Sequence, residues 1–194
     1  WELEQVSSTE FNGPWPEKVL SVTVNTSQGT IEIHTVHFPN GSNHGWTKID
    51  MFEAIYTMLA CNAKDHRILC GDFNSPLDET TDGQIRTFGQ VTKAPDGRYI
   101  ITKKYERWDM GERNVMEGLR RYDLQDVFRS IHGYKKEAFS HYTNNRGNRI
   151  GRRFDHIFAS DSLNVVKCEY LNRLRCPELS DHAPIEAVFN PNQR

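Results

Sequence analysis

Carboxylates, histidines and one asparagine gather in three short stretches, each at the end of a predicted strand. They are Gly71-Asp72-Phe73-Asn74, Arg152-Arg153-Phe154-Asp155-His156-Ile157-Phe158 and Ser180-Asp181-His182-Ala183-Pro184. Alternate side chains of a strand share a face, so Asp72 and Asn74 are expected to project together, as are Arg153 and Asp155. A carboxylate beside an amide can hold one phosphate or one attacking water. The same Gly, Asp and Asn also compose an ordinary turn, and Arg153 with Asp155 also makes an ordinary strand-edge ion pair. Asp181 and His182 point apart on a regular strand and serve one site only where the backbone bends. Pro184 fits such a strand entry. His37 closes a row formed by Ile31, Ile33 and Thr35. An apolar row ending in histidine describes either a core that opens into a site or a histidine at a core's rim.

These stretches need a scaffold, and the hydrophobic pattern supplies one. Residues 19–25 and 30–38 alternate as two strands around a Ser27-Gln28-Gly29 turn. Thr47-Lys48-Ile49-Asp50 resembles a capping box, with Asp where Glu or Gln is usual, and opens a helix with Phe52, Ile55, Tyr56 and Leu59 on one face. Residues 67–73 form a short buried strand, which completes an α/β unit. Residues 1–18 and 78–107 read as turn- and loop-rich, with Ala94-Pro95-Asp96-Gly97 joining strands near 88–93 and 98–103. A weak helix is expected at 109–119, and a second through Leu124, Val127, Phe128 and Ile131 stops at Gly133. Strands follow at 137–142, 153–159, 164–171 and 182–189. Nothing marks a linker, so the reading is one strand-rich α/β domain.

Composition excludes several classes. Twenty-four Lys and Arg against 26 Asp and Glu leave a net charge of −2, which argues against a purely electrostatic nucleic-acid binder. A metal could still supply positive charge to meet phosphate. No apolar run approaches the roughly 20 residues of a membrane-spanning helix. Four cysteines at 61, 70, 168 and 176 form no C-x-x-C pair, which argues against a zinc knuckle and favours a reducing compartment such as the cytoplasm.

In order, the chain offers a strand ending in His37-Phe38-Pro39, a helix, Gly71-Asp72-Phe73-Asn74, the Arg153-Phe154-Asp155-His156-Ile157-Phe158 stretch and Ser180-Asp181-His182-Ala183-Pro184. That series resembles the endonuclease/exonuclease/phosphatase superfamily, the deoxyribonuclease I-like fold, from about residue 19 to 189. No motif of it was found in 78–145. The resemblance implies a four-layer α/β sandwich: two mainly antiparallel sheets packed face to face with helices outside. It implies hydrolysis of phosphoesters with Mg²⁺ or Mn²⁺. Carried over by position, Asp72 activates water or holds metal, Asn74 orients water and phosphate, and His182 acts on phosphate or water. Asp155 orients His182, and Asp181 is a metal ligand. His37 stands where relatives carry His or Tyr, so it joins the candidate catalytic set.

The family opens with a strand carrying Asn and a segment carrying a metal-binding Glu. Glu2, Glu4 and Glu10 lie too close to His37 to match that Glu. The resemblance therefore implies that the principal Glu ligand lies upstream of Trp1 and that residues 1–194 are a single domain lacking its first strands. Arg146, Arg149, Arg152 and Arg153 fall within eight residues and read either as a loop that tracks substrate phosphate or as a solvated basic loop. Nucleic acid is the favoured substrate. A phosphatase or sphingomyelinase-type hydrolase of the same family stays open, as does a non-catalytic binding module on the same fold. No obligate protein partner is evident.

Overall fold

The computed structural model describes residues 2–5, 11–27, 29–63, 66–95, 99–101, 105–145, 147–176 and 178–190. In chain order the elements are β1 (Glu2–Gln5), β2 (Val19–Thr26), β3 (Gly29–His37), α1 (Gly41–His44), α2 (Thr47–Leu59) and β4 (His66–Asp72). Then come β5 (Asp78–Glu79), β6 (Ile85–Arg86), β7 (Val91–Lys93), β8 (Tyr99–Ile101), α3 (Glu106–Met116), β9 (Gln125–Asp126) and α4 (Val127–His132). The chain closes with β10 (His141–Asn145), β11 (Asn148–Arg152), β12 (Asp155–Ala159), β13 (Val165–Tyr170) and β14 (Ile185–Phe189).

Six strands form the main sheet in the order β1-β2-β3-β4-β12-β9. Its pairs are antiparallel except β3–β4, which the α2 crossover makes parallel. The β13–β14 pair is a second, smaller antiparallel sheet. One face of the main sheet, carrying Val36, Leu69 and Phe158, packs under Phe52, Ile55 and Leu59 of α2 and Val115 of α3. Phe38, Phe52 and Phe73 stack in this core, with Phe38 and Phe52 centroids 4.0 Å apart. Burying each such ring contributes roughly 2 kcal/mol. The opposite face, carrying Ile31, Ile68, Ile157 and Ala159, packs with Cys168 and Ala187 of the second sheet and Val127 and Phe128 of α4. This is the α/β sandwich anticipated from the sequence.

Local expectations fare unevenly. Strands β2, β3 and β4 fall within a residue or two of their alternating stretches, and Gly133 ends α4 with a positive φ of 64°. The capping box at Thr47–Asp50 does not form. Trp46 is the N-cap of α2 and makes no side-chain cap bond. The cap upstream belongs to Asn40, whose Oδ1 accepts from the Ser42 amide at 2.8 Å. Residues 1–18, read as turns, contain β1. Of the stretch read as a basic loop, Asn148–Arg152 is strand β11, paired with β10. The turn read at 94–97 lies partly outside the described residues.

Candidate active site

Strand register builds the site. In the parallel β3–β4 pair His37 stands opposite Asp72, and in the antiparallel β4–β12 pair Asp72 stands opposite Asp155. Opposed residues project from the same face, so His37, Asp72 and Asp155 form one transverse row. The row lies on the face of Ile31, Ile68 and Ile157, where the second core ends. Gly71 makes this close pairing possible. Its φ is +137°, and a Cβ there would fall 1.9 Å from the Val36 carbonyl oxygen, so only glycine fits.

The loop before β14 brings His182 to this row. Its Nδ1 donates to Asp155 Oδ2 at 2.7 Å. The bond to Asp155 raises the His182 pKa above the usual histidine range, against the opposing effect of partial burial. Burial first and the neighbouring Asp155 second also push the Asp72 carboxyl upward. His37 Nε2 lies 3.8 Å from Asp72 Oδ2, with the His37 side chain 56% exposed at the mouth.

Asn74 joins Asp72 by a route other than strand alternation. β4 ends at Asp72, and Asn74 takes a left-handed φ of 47°. The Asn74 amide then donates to Asp72 Oδ1 at 2.8 Å, and its Nδ2 donates to Asp72 Oδ2 at 3.2 Å and to the Phe38 carbonyl at 3.0 Å. The loop is held from beneath by Lys48. This fully buried ammonium donates to the Asn74 carbonyl at 2.7 Å, to Ser75 Oγ at 2.8 Å and to Glu112 Oε1 at 2.9 Å. Glu112, also fully buried, accepts from Ser75 Oγ, Trp108 Nε1 and the Phe88 amide as well.

The backbone bends at Asp181 and His182, so these neighbours do reach one region. Asp181 Oδ2 lies 3.1 Å from His141 Nε2, and the His141 and His182 rings stack with centroids 4.6 Å apart. Two sets of possible metal-ligand atoms result: Asp72, Asp155 and His182, and His141, Asp181 and His182, each set lying within 4.8 Å. The two expected metal ligands, Asp72 and Asp181, thus fall in different sets that share His182. Buried Ser140 ties the pieces together. Its Oγ accepts from the Phe154 and Asp155 amides, and its carbonyl accepts from the Ala183 amide at 2.7 Å.

The arginine cluster divides. Arg149 is exposed on β11, its guanidinium 3.9 Å from the centroid of the Tyr142 ring. Arg146 lies outside the described residues. Arg152 and Arg153 are not a phosphate-binding loop. Arg152 is buried and donates to the Leu77 carbonyl. Arg153 is buried and bonded to Glu79 at 2.6 Å and Asp126 at 2.7 Å. Arg153 and Asp155 do not share a site: Arg153 precedes β12 and turns to Glu79, whereas Asp155 faces His182. Lys48, Glu112, Ser140 and His141 were not singled out by sequence. Only the hydroxyl at 140 and the imidazole at 141, within the strand expected at 137–142, offered any signal.

The chain belongs to the Endonuclease/Exonuclease/phosphatase family, whose profile matches residues 8–182. No curated protein sequence matches it. Among solved structures it is similar to D. rerio TDP2 complexed with single strand DNA product, at 15% identity and TM-score 0.59, covering 98% of this chain and 67% of that one. It is similar to an endonuclease/exonuclease/phosphatase family protein from Leptotrichia buccalis, at 21% identity and TM-score 0.53, covering 89% and 53%. It is also similar to the AP endonuclease LMAP from Leishmania major, at 18% identity and TM-score 0.53, covering 87% and 53%. The chain therefore spans about half to two thirds of the length of these structures. Among the described residues no helix is long and apolar enough to cross a membrane.

Proposed function

We propose that residues 1–194 belong to a single hydrolase domain that cleaves phosphodiesters, with nucleic acid as substrate. The row of His37, Asp72 and Asp155, closed by His182 on Asp155, is the observation that carries this reading. The names of the similar structures, one an AP endonuclease and one bound to a DNA product, support nucleic acid over lipid.

A hard divalent cation, Mg²⁺ or Mn²⁺, fits the donor set. Burial first and the neighbouring Asp155 carboxylate second push the Asp72 pKa upward, and a cation relieves the repulsion between the two carboxylates. Asp72 would hold such an ion in the set it forms with Asp155, and Asp181 would hold one in the adjoining set with His141. When bound, such an ion neutralises the phosphate and lowers the pKa of bound water.

The chain's own residues do the rest. Asp72 accepts a proton from the attacking water as its oxygen bonds to phosphorus; the ester P–O bond opposite it breaks, and the departing alkoxide takes a proton from solvent. Asn74, its Nδ2 held by Asp72 and the Phe38 carbonyl, orients the water by accepting from it at Oδ1. His182, kept protonated at Nδ1 by Asp155, carries positive charge toward the phosphate. His37, at the mouth beside Asp72, contacts the incoming phosphate. Arg149 meets flanking phosphates of a longer substrate.

Asp72→Ala and His182→Ala are each expected to lower turnover by at least ~100-fold, the scale of losing an acid–base or electrostatic contribution. A panel of duplex DNA, abasic DNA, RNA, sphingomyelin and inositol phosphates, assayed with Mg²⁺ and with chelator, identifies the substrate. Near-wild-type rates in either variant refute the assignment.

A further inference from the structure

A cavity of about 560 Å³ opens from the end of the catalytic row, where Asn74 and His141 form part of its wall. Five aromatic side chains also line it: Trp46, Phe88, Tyr105, Trp108 and Phe154. The volume lies within the range of small-molecule sites. Apart from Asn74, none of these residues has a task in the chemistry above. A substrate whose phosphate meets Asp72 and His182 has whatever that phosphate carries at the entrance to this space.

The rings are held in place before any ligand arrives. Trp108 Nε1 donates to Glu112 at 3.0 Å. Its ring lies against Gly41, where a Cβ would come within 2.6 Å of Trp108 Cζ2. Trp46 meets Trp108 edge to face at 5.4 Å, and the Arg107 guanidinium lies 5.5 Å from the Trp46 ring. Arg107 is itself fixed by Asp50 and Glu53 at 2.6 Å. Phe88 rests with the buried Lys48 ammonium 4.9 Å from its centroid. Pre-set walls lower the ordering cost of binding. Flat aromatic faces favour a flat guest over a flexible acyl chain, and Asn40, Ser42 and Thr143 on the lining offer hydrogen bonds to its polar edge.

We propose that this cavity holds a planar aromatic ring carried by the substrate beside the scissile phosphate. The ring is a nucleobase or the aryl group of an aromatic phosphoester, since both present a π-face to the walls. The proposal rests on the phosphodiesterase reading for the place of the phosphate, and Trp46, Phe88 and Trp108 of the wall come from the segments before α2 and β7 and from α3.

Calorimetric titration tests it without turnover, using deoxyadenosine monophosphate, phenyl phosphate and deoxyribose 5-phosphate. At least one ring-bearing ester should bind at least ~10-fold more tightly than deoxyribose 5-phosphate, the scale of one stacked ring. The tighter of the two tells a nucleobase from an aryl group. Trp108→Ala should abolish the preference. Gly41→Ala, which keeps every wall residue and pushes only on the Trp108 ring, should reduce it. Equal affinity for all three probes, absence of binding by any, or a preference unchanged in both variants overturns the proposal. A chain that prefers rings yet cleaves no phosphoester refutes the hydrolase reading alone. One that cleaves phosphodiesters with no ring preference refutes the cavity alone.

Discussion

Replacing Lys48 with Met is a severe test of how the Asn74 loop is held. The ammonium has three protons and three acceptors: the Asn74 carbonyl, Ser75 Oγ and Glu112 Oε1, all within 2.9 Å. Its side chain is 1% exposed and that of Glu112 is 0% exposed. Water therefore cannot replace the lost cation. Methionine keeps the length and apolar volume but leaves the Glu112 carboxylate buried without a counter-charge. Breaking one side of such a pair costs about 3–5 kcal/mol. A domain of this size has about 5–15 kcal/mol in total, so the variant should fold but with much of its margin gone. The melting temperature should fall by about 6–20 °C, at about 2–4 °C per kcal/mol. Lys48→Met with Glu112→Gln removes both charges and should recover part of the loss, because the amide still accepts from Ser75 or Trp108. Urea unfolding followed by circular dichroism measures both variants. A Lys48→Met midpoint corresponding to less than ~1 kcal/mol would refute the reasoning, since that is the cost of an exposed pair. So would a double variant less stable than Lys48→Met.

Three further outcomes are expected. Asp155→Asn should act through His182, so that combining it with His182→Ala is no worse than His182→Ala alone; fully multiplicative defects in turnover would separate the two residues. Burial raises the Glu79 carboxyl, but Arg153 and Arg129 outweigh it and hold the pKa at about 2, against an ordinary 4.5. A depressed carboxyl stabilises the fold fully above pH 4.5 and loses that contribution as pH falls toward 2. Acid unfolding of Glu79→Gln should therefore be flatter across that window, with about 3 kcal/mol missing at neutral pH; an unchanged acid profile would exclude the pairing. Arg149→Ala should raise KM on a nucleic-acid substrate and lower the salt slope by about one ion with kcat little changed, whereas Arg153→Ala should lower stability by about 3–5 kcal/mol, and an Arg149→Ala salt slope equal to wild type would make it an ordinary surface charge.

The sequence displayed its sheet wherever one face of a strand is buried and the other is not. β2 and β3 alternate for that reason, and α2 shows Phe52, Ile55 and Leu59 at helical spacing. The polar residues at strand ends were visible because they interrupt those patterns. What stayed hidden depends on contacts between distant segments. Lys48 occupies what local pattern reads as a polar helix position, and only Glu112 on α3 makes its burial tolerable. Arg152 and Arg153 look like a basic loop until the Leu77 carbonyl, Glu79 and Asp126 are placed around them. Asn74 was expected to share a face with Asp72 by alternation. It meets Asp72 instead through a turn whose left-handed residue no periodicity reveals.

The row His37–Asp72–Asp155 also sets when the site can exist during folding. Each member comes from a different strand, and the pairings β3–β4 and β4–β12 bring together segments far apart in the chain. Closing long loops costs entropy before any contact repays it, so such pairings form late relative to a helix like α2 or the β2–β3 hairpin. During refolding, helical signal should return ahead of hydrolysis, and a slowed β12 docking should delay hydrolysis without delaying the helix. On the hydrolase reading proposed above, recovery of activity is a clock for the completed topology, and a folding intermediate with most of its secondary structure would still lack a site.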